Sequence, residues 1–170
     1  MKTFLTTTSM IGLTLLLSSC LYTKPVFTED FTQIEESLTG VWVTEEKGDP
    51  RTIQYAVCVP IDDDRYLLHH PARSQDSFYY EARTVKRRDR TLLQLRVLST
   101  FKGGPPKPES KKFTLLWIQP QADGSLLMRP ADGKSSLSRM TAAEARKILE
   151  DPSSDWDTLF GQADAYRRLR

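Results

Sequence analysis

The chain has 170 residues, 39% hydrophobic and 27% charged, with 24 Lys and Arg against 22 Asp and Glu and a net charge of +2. That near-balance excludes a dedicated nucleic-acid or polyanion binder, which concentrates a basic excess on one face. Two cysteines, Cys20 and Cys58, are too few for a disulfide framework.

The first twenty residues have the order of an export signal: Lys2, a mostly apolar stretch over 4–17, then Leu17-Ser18-Ser19-Cys20. A permanent transmembrane helix needs ~20 apolar residues, and Thr6, Thr7, Thr8, Ser9 and Thr14 dilute this one. An ordinary secretory cleavage site prefers small residues at both flanking positions, and Leu17 occupies the outer one. Leu17-Ser18-Ser19-Cys20 resembles the lipobox of bacterial lipoproteins. The resemblance implies cleavage after Ser19, a thioether from Cys20 to diacylglycerol, and attachment to a membrane through that lipid. It divides the chain into a signal peptide (1–19), a lipidated tether (20–29) and a single β-rich domain (30–170). Leu21 stands where inner-membrane retention would use aspartate, which implies the outer membrane, facing the periplasm, in a cell with two membranes. Lys2 is the only charge in residues 1–19, so the mature chain carries +1. With Cys20 committed to lipid, Cys58 has no intramolecular partner; a free surface thiol is a liability in an oxidising envelope, so burial is expected.

Residues 21–29 read as a tether reaching at most ~3.5 Å per residue. Phe31, Ile34 and Leu38 recur at helical spacing and predict a short helix over 30–38, ended by Thr39-Gly40. The period then becomes two. Val41-Trp42-Val43 opens a strand, and 52–59 alternates, with Ile53, Tyr55, Val57 and Val59 opposite Gln54, Ala56 and Cys58. Asp62-Asp63-Asp64 marks a turn into a strand over 65–70. Further strands are predicted over 77–86 and 91–99, joined at Arg87-Arg88-Asp89-Arg90; Leu93, Leu95 and Val97 share a face. A Gly-Pro loop around 102–106 precedes a strand over 112–119, with Phe113, Leu115 and Trp117 on one side. Asp123-Gly124 gives a hairpin into 125–129, and Asp132-Gly133 another into a weak strand around 135–140. Thr141 and Glu144 form a capping-box pattern before Ala145, Ile148 and Leu149, and Pro152 stops that helix. Residues 155–160 read as a turn of helix carrying Trp156, and 165–170 as either a last strand or a frayed end.

Seven or eight short strands joined by hairpins predict a mainly β fold: an antiparallel meander forming a strongly bent sheet or small barrel, with a short N-terminal helix and a C-terminal helix. The helix-like segment entering Gly40-Val41-Trp42 resembles the start of a lipocalin or calycin barrel, although Val43-Thr44 follows where that family has Tyr-Glu. The resemblance implies a small apolar ligand inside the sheet, lined by Trp42, Tyr55, Phe113 and Trp117. The plainer reading makes Trp42 a core anchor.

His69 and His70 point to opposite faces of a strand and cannot readily share a metal. The acidic turn lacks the spaced oxygens of a calcium loop. Arg87, Arg88 and Arg90 suggest contact with anionic headgroups. Ser74, Asp76 and His70 are close in sequence, but proximity makes no triad, and no nucleophile elbow, phosphate loop or metal-thiolate spacing occurs. No catalytic residue, metal or cofactor is therefore expected. The chain reads as a lipid-anchored, non-enzymatic envelope accessory or protein-interaction module, docking through strand edges or the loop at 103–108; a carrier of a small apolar ligand is the alternative.

Overall fold

The computed structural model describes residues 21–44, 53–72, 77–107, 110–131 and 135–169; the expected signal segment and Cys20 lie outside them. Eight antiparallel strands form a closed barrel in chain order: β1 (Gly40–Thr44), β2 (Tyr55–Pro60), β3 (Tyr66–Ala72), β4 (Phe78–Arg87), β5 (Arg90–Thr100), β6 (Phe113–Pro120), β7 (Leu126–Pro130) and β8 (Asp164–Arg168). Pairing of Val43 with Arg167 closes β1 onto β8. Residues 165–168 are thus a strand, and the bent sheet has no open edge among its named strands. Strand addition, which needs an unpaired edge, has no template there.

Alternation sends one side chain in and the next out. Trp42, Ala56, Cys58, Tyr66, Leu68, Tyr80, Ala82, Leu93, Leu95, Val97, Leu116, Ile118, Leu126 and Tyr166 fill the interior. Trp42 and Tyr66 pair across strands with the small Ala56 and Ala82, and in β2 Ala56 and Cys58 point inward while the β-branched Val57 and Val59 point out. Cys58 is buried and free, as its solitary thiol predicts.

A second core lies outside the barrel. Leu92 of β5 and Leu115 and Trp117 of β6 project outward and are covered by two layers. One is the segment following β7, with helices α1 (Ala142–Glu150) and α2 (Trp156–Leu159). The capping box forms as read: Thr141 Oγ1 accepts from the Glu144 backbone, and the Thr141 amide donates to Glu144 Oε2 at 2.8 Å. Ala145 and Leu149 face inward; Trp156 packs edge-on against Trp117, with ring centroids 5.6 Å apart. The predicted strand near 135–140 is instead a 3-10 turn, Ser136–Arg139. β8 already occupies the free edge of β7, so this chain leaves the sheet after Ala131, whose amide donates to Leu115 O.

The other layer is the presumed tether, which is not a free linker. Leu21, Tyr22, Val26 and Phe27 are buried against the barrel wall, Phe27 completely. The segment runs down β6, β5 and β4, making bridges Tyr22–Phe113 and Phe31–Val85. It then crosses the barrel floor, where only Glu36–Leu38 forms a helical turn, of 3-10 type. The longer helix expected over 30–38 is absent because the backbone bonds outward: Thr32 N to Thr84 O and Ile34 N to Asp63 O, both at 2.9 Å.

Candidate functional site

The floor of the barrel is sealed by its own residues. Trp42 is 2% exposed, and its indole N–H donates to Leu38 O at 3.1 Å. Tyr66 Oη accepts from the Glu35 amide at 2.6 Å, tying the crossing segment to β3. Gly40, with φ +120°, lets the chain enter; a Cβ there would stand 2.8 Å from Arg168 Nε. The backbone angle therefore favours glycine, and a side chain there would also have to displace the flexible Arg168 guanidinium.

The opposite end is the mouth. Ala56, Leu68, His70, Tyr80, Met128 and Tyr166 line the interior below it, but the space they leave is about 30 Å³, about that of one water. Tyr166 Oη lies 3.2 Å from His70 Nε2. Burial, with a smaller contribution from His69, lowers the His70 pKa to about 4. It also pushes the Cys58 thiol up to about 12. Thus His70 is a neutral core group at neutral pH. His69 points the other way and stacks on Tyr79, centroids 4.4 Å apart.

Of the four expected ligand-lining residues, Trp42 is inside, at the floor. Tyr55, Phe113 and Trp117 face outward and cannot line the interior. In β6 both faces are apolar, so alternation alone could not say which turns in. Thr114, Leu116 and Ile118 do, while Trp117 lies under α2. Tyr55 follows from the same misreading of β2.

The charged turns are engaged within the fold. Asp62 pairs with Arg65 and Asp64 with Arg83, and among the described residues no group of three metal-ligating side chains converges. The arginine hairpin, proposed above for headgroups, fastens the helical layer instead. Arg87 binds Asp30 Oδ2 at 3.1 Å, Arg88 donates to Pro152 O at 2.8 Å, and Arg90 lies over the Trp156 ring at 4.8 Å. Ser74 and Asp76 lie outside the described residues.

Alternation did not single out two surface features. Among the described residues, neither layer covers the floor half of the wall made by β8, β1 and β2, which exposes Val41, Val59, Ile61 and Leu169, whereas Val43 higher on β1 is buried. The register groups them: Val41 opposes Val57, Leu169 N donates to Val41 O, and Val59 follows on the same face. At the mouth, Phe101 is 61% exposed at the start of the lysine-bearing loop between β5 and β6. No family model, curated protein or solved structure matches the chain.

Proposed function

We propose that this is a lipid-anchored envelope domain that acts as a non-enzymatic protein-interaction module. The observation that carries the reading is the contrast between a barrel filled by its own side chains and an apolar strip left open on its outer wall. A carrier of a small apolar ligand needs a cavity of several hundred Å³, and about 30 Å³ does not favour it. A contiguous apolar patch rimmed by polar residues is the usual mark of a protein contact. Here it comprises Val41, Val59, Ile61 and Leu169. Anchoring rests on the lipobox-like Leu17-Ser18-Ser19-Cys20. With Leu21 after the cysteine, the expected location is the outer membrane, facing the periplasm, where two membranes exist.

One experiment addresses both parts. A photo-reactive residue replacing Val59 in the full chain, irradiated in cells, is expected to give a discrete cross-linked species in the membrane fraction. Ile61→Lys should abolish the cross-link without moving the protein from membranes; Cys20→Ser should release it and stop palmitate incorporation. A chain that never incorporates palmitate sinks the anchor. A membrane-bound chain with no cross-link from Val59 sinks the interaction surface.

A further inference from the structure

The chain that follows Cys20 is fixed on the barrel, and this decides which end of the molecule meets the bilayer. The Leu21 amide donates to Phe113 O at 2.9 Å, and the Lys112 amide donates to Tyr22 O at 2.9 Å. Leu21 is therefore held at the start of β6, at the mouth, and Cys20 is the residue bonded to it, one Cα–Cα step of about 3.8 Å along the chain. The arginine hairpin lies at the other end of β5, an 11-residue strand that spans ~35 Å. It is turned away from any surface to which Cys20 is attached.

Leu21 and Tyr22 meet Lys112 and Phe113 at the end of the loop joining β5 to β6. Over 101–112 the sequence has Lys102, Lys107, Lys111 and Lys112 against the single acid Glu109, and Lys24 lies in the adjoining strap. Lys24, Lys107 and Lys111 are exposed. Phe101 projects from a stiffened turn: its amide donates to Ser77 O at 3.0 Å, Thr100 N to Gly104 O at 3.1 Å and Gly103 N to Thr100 Oγ1 at 2.7 Å. An exposed aromatic ring on a lysine-bearing loop at this end of the barrel suits the bilayer interface, where the ring enters the acyl boundary and the ammonium groups meet anionic phosphates.

We infer that Phe101 and the lysines around it form a membrane-docking surface for anionic lipid, holding the barrel mouth-down against the bilayer. The inference rests on the proposed lipidation of Cys20, which supplies the proximity. It assigns the mouth to lipid and leaves the apolar strip near the floor pointing away, toward soluble or neighbouring envelope proteins.

The test places a reporter at each end. Trp42, Trp117 and Trp156 are buried, so a tryptophan introduced at Phe101 or at Asp89 is read above a shielded background. The full chain carrying Phe101→Trp or Asp89→Trp is extracted from expressing cells and reconstituted with vesicles of phosphatidylglycerol and brominated phosphatidylcholine. Flotation reports anchoring, and quenching by bromine reports docking. Expected is quenching of Phe101→Trp beyond the parent, none for Asp89→Trp, and weaker quenching on vesicles of phosphatidylcholine alone. Adding Lys24→Gln, Lys107→Gln and Lys111→Gln should weaken docking by about five-fold per lysine, with flotation unchanged. Protein that floats while Phe101→Trp stays at the parental emission overturns the docking and leaves the anchor standing. Quenching at Asp89→Trp, or quenching indifferent to lipid charge, also overturns it. Protein that does not float defeats the anchor itself, and the docking with it.

Discussion

Gln94 is the buried polar side chain that secures the N-terminal strap, and removing its amide should loosen the segment that positions Cys20. Its Oε1 accepts from the Phe27 amide at 2.8 Å and its Nε2 donates to Phe27 O at 2.9 Å, so one side chain satisfies both backbone groups of a fully buried residue. Gln94→Met keeps length and volume, which limits any packing loss, but orphans both groups. A buried unpaired backbone group costs ~1–3 kcal/mol; two give ~2–6 kcal/mol, a large share of the ~5–15 kcal/mol that stabilises a typical domain. The loss has a local alternative, release of the strap, which exposes Phe27 and its neighbours at a further ~1.5–3 kcal/mol per large side chain. Urea denaturation measures the global term, and amide exchange at Phe27 measures the local one. A variant within ~0.5 kcal/mol of the parent, its Phe27 amide still protected, would refute the reasoning, because the paired amide would then contribute nothing the fold needs.

Two further outcomes follow from groups inside the barrel. Since burial lowers His70 from 6.5 to about 4, the unfolded chain takes up a proton below pH 6.5 that the folded chain resists. Stability should therefore fall by ~3 kcal/mol between pH 6.5 and 4 on this account alone; urea titrations should show that loss reduced in His70→Gln, and an NMR titration assigning a midpoint near 6 to the His70 imidazole would contradict it. Cys58, buried and with its thiol pushed up to about 12, should react with a bulky maleimide in a Cys20→Ser background only as fast as the protein unfolds, and prompt labelling of the native protein would count against its placement.

The strand order was legible because hairpin signals such as Asp123-Gly124 and the alternation in 91–99 are local, and local turns joining antiparallel strands leave few topologies. The facing of each strand was less so. Leu93, Leu95 and Val97 turn inward as read, but β2 and β6 carry apolar residues on both sides, and the second core outside β4, β5 and β6 makes both sides useful. Phe113 and Trp117 were misplaced for that reason, and Tyr55 because β2 is apolar on both faces. The strap over 21–29 has no period to betray it, since an extended segment held by Gln94 and Phe113 needs only a few apolar anchors. The helix expected over 30–38 failed on the same ground: Phe31 packs on the outer core while Ile34 and Leu38 join the inner core at the floor, so the three do not share one helical face.

These surfaces also constrain how such a domain can recognise a partner. Closing β8 onto β1 removes the backbone edge that an added strand would use, and among the described residues the side chains inside leave only about 30 Å³ below the mouth. Specificity must then come from side chains on the outer wall. Over β4, β5 and β6 that wall is occupied by the strap and α1 and α2. The strip from Leu169 through Val41 to Val59 and Ile61 is open, and it lies near the floor, at the far end of the barrel from Leu21. If Cys20 carries lipid, the same placement that brings Phe101 to the headgroups holds this strip roughly a barrel length above them, so a partner that reaches it must project from the bilayer by on the order of 20–30 Å.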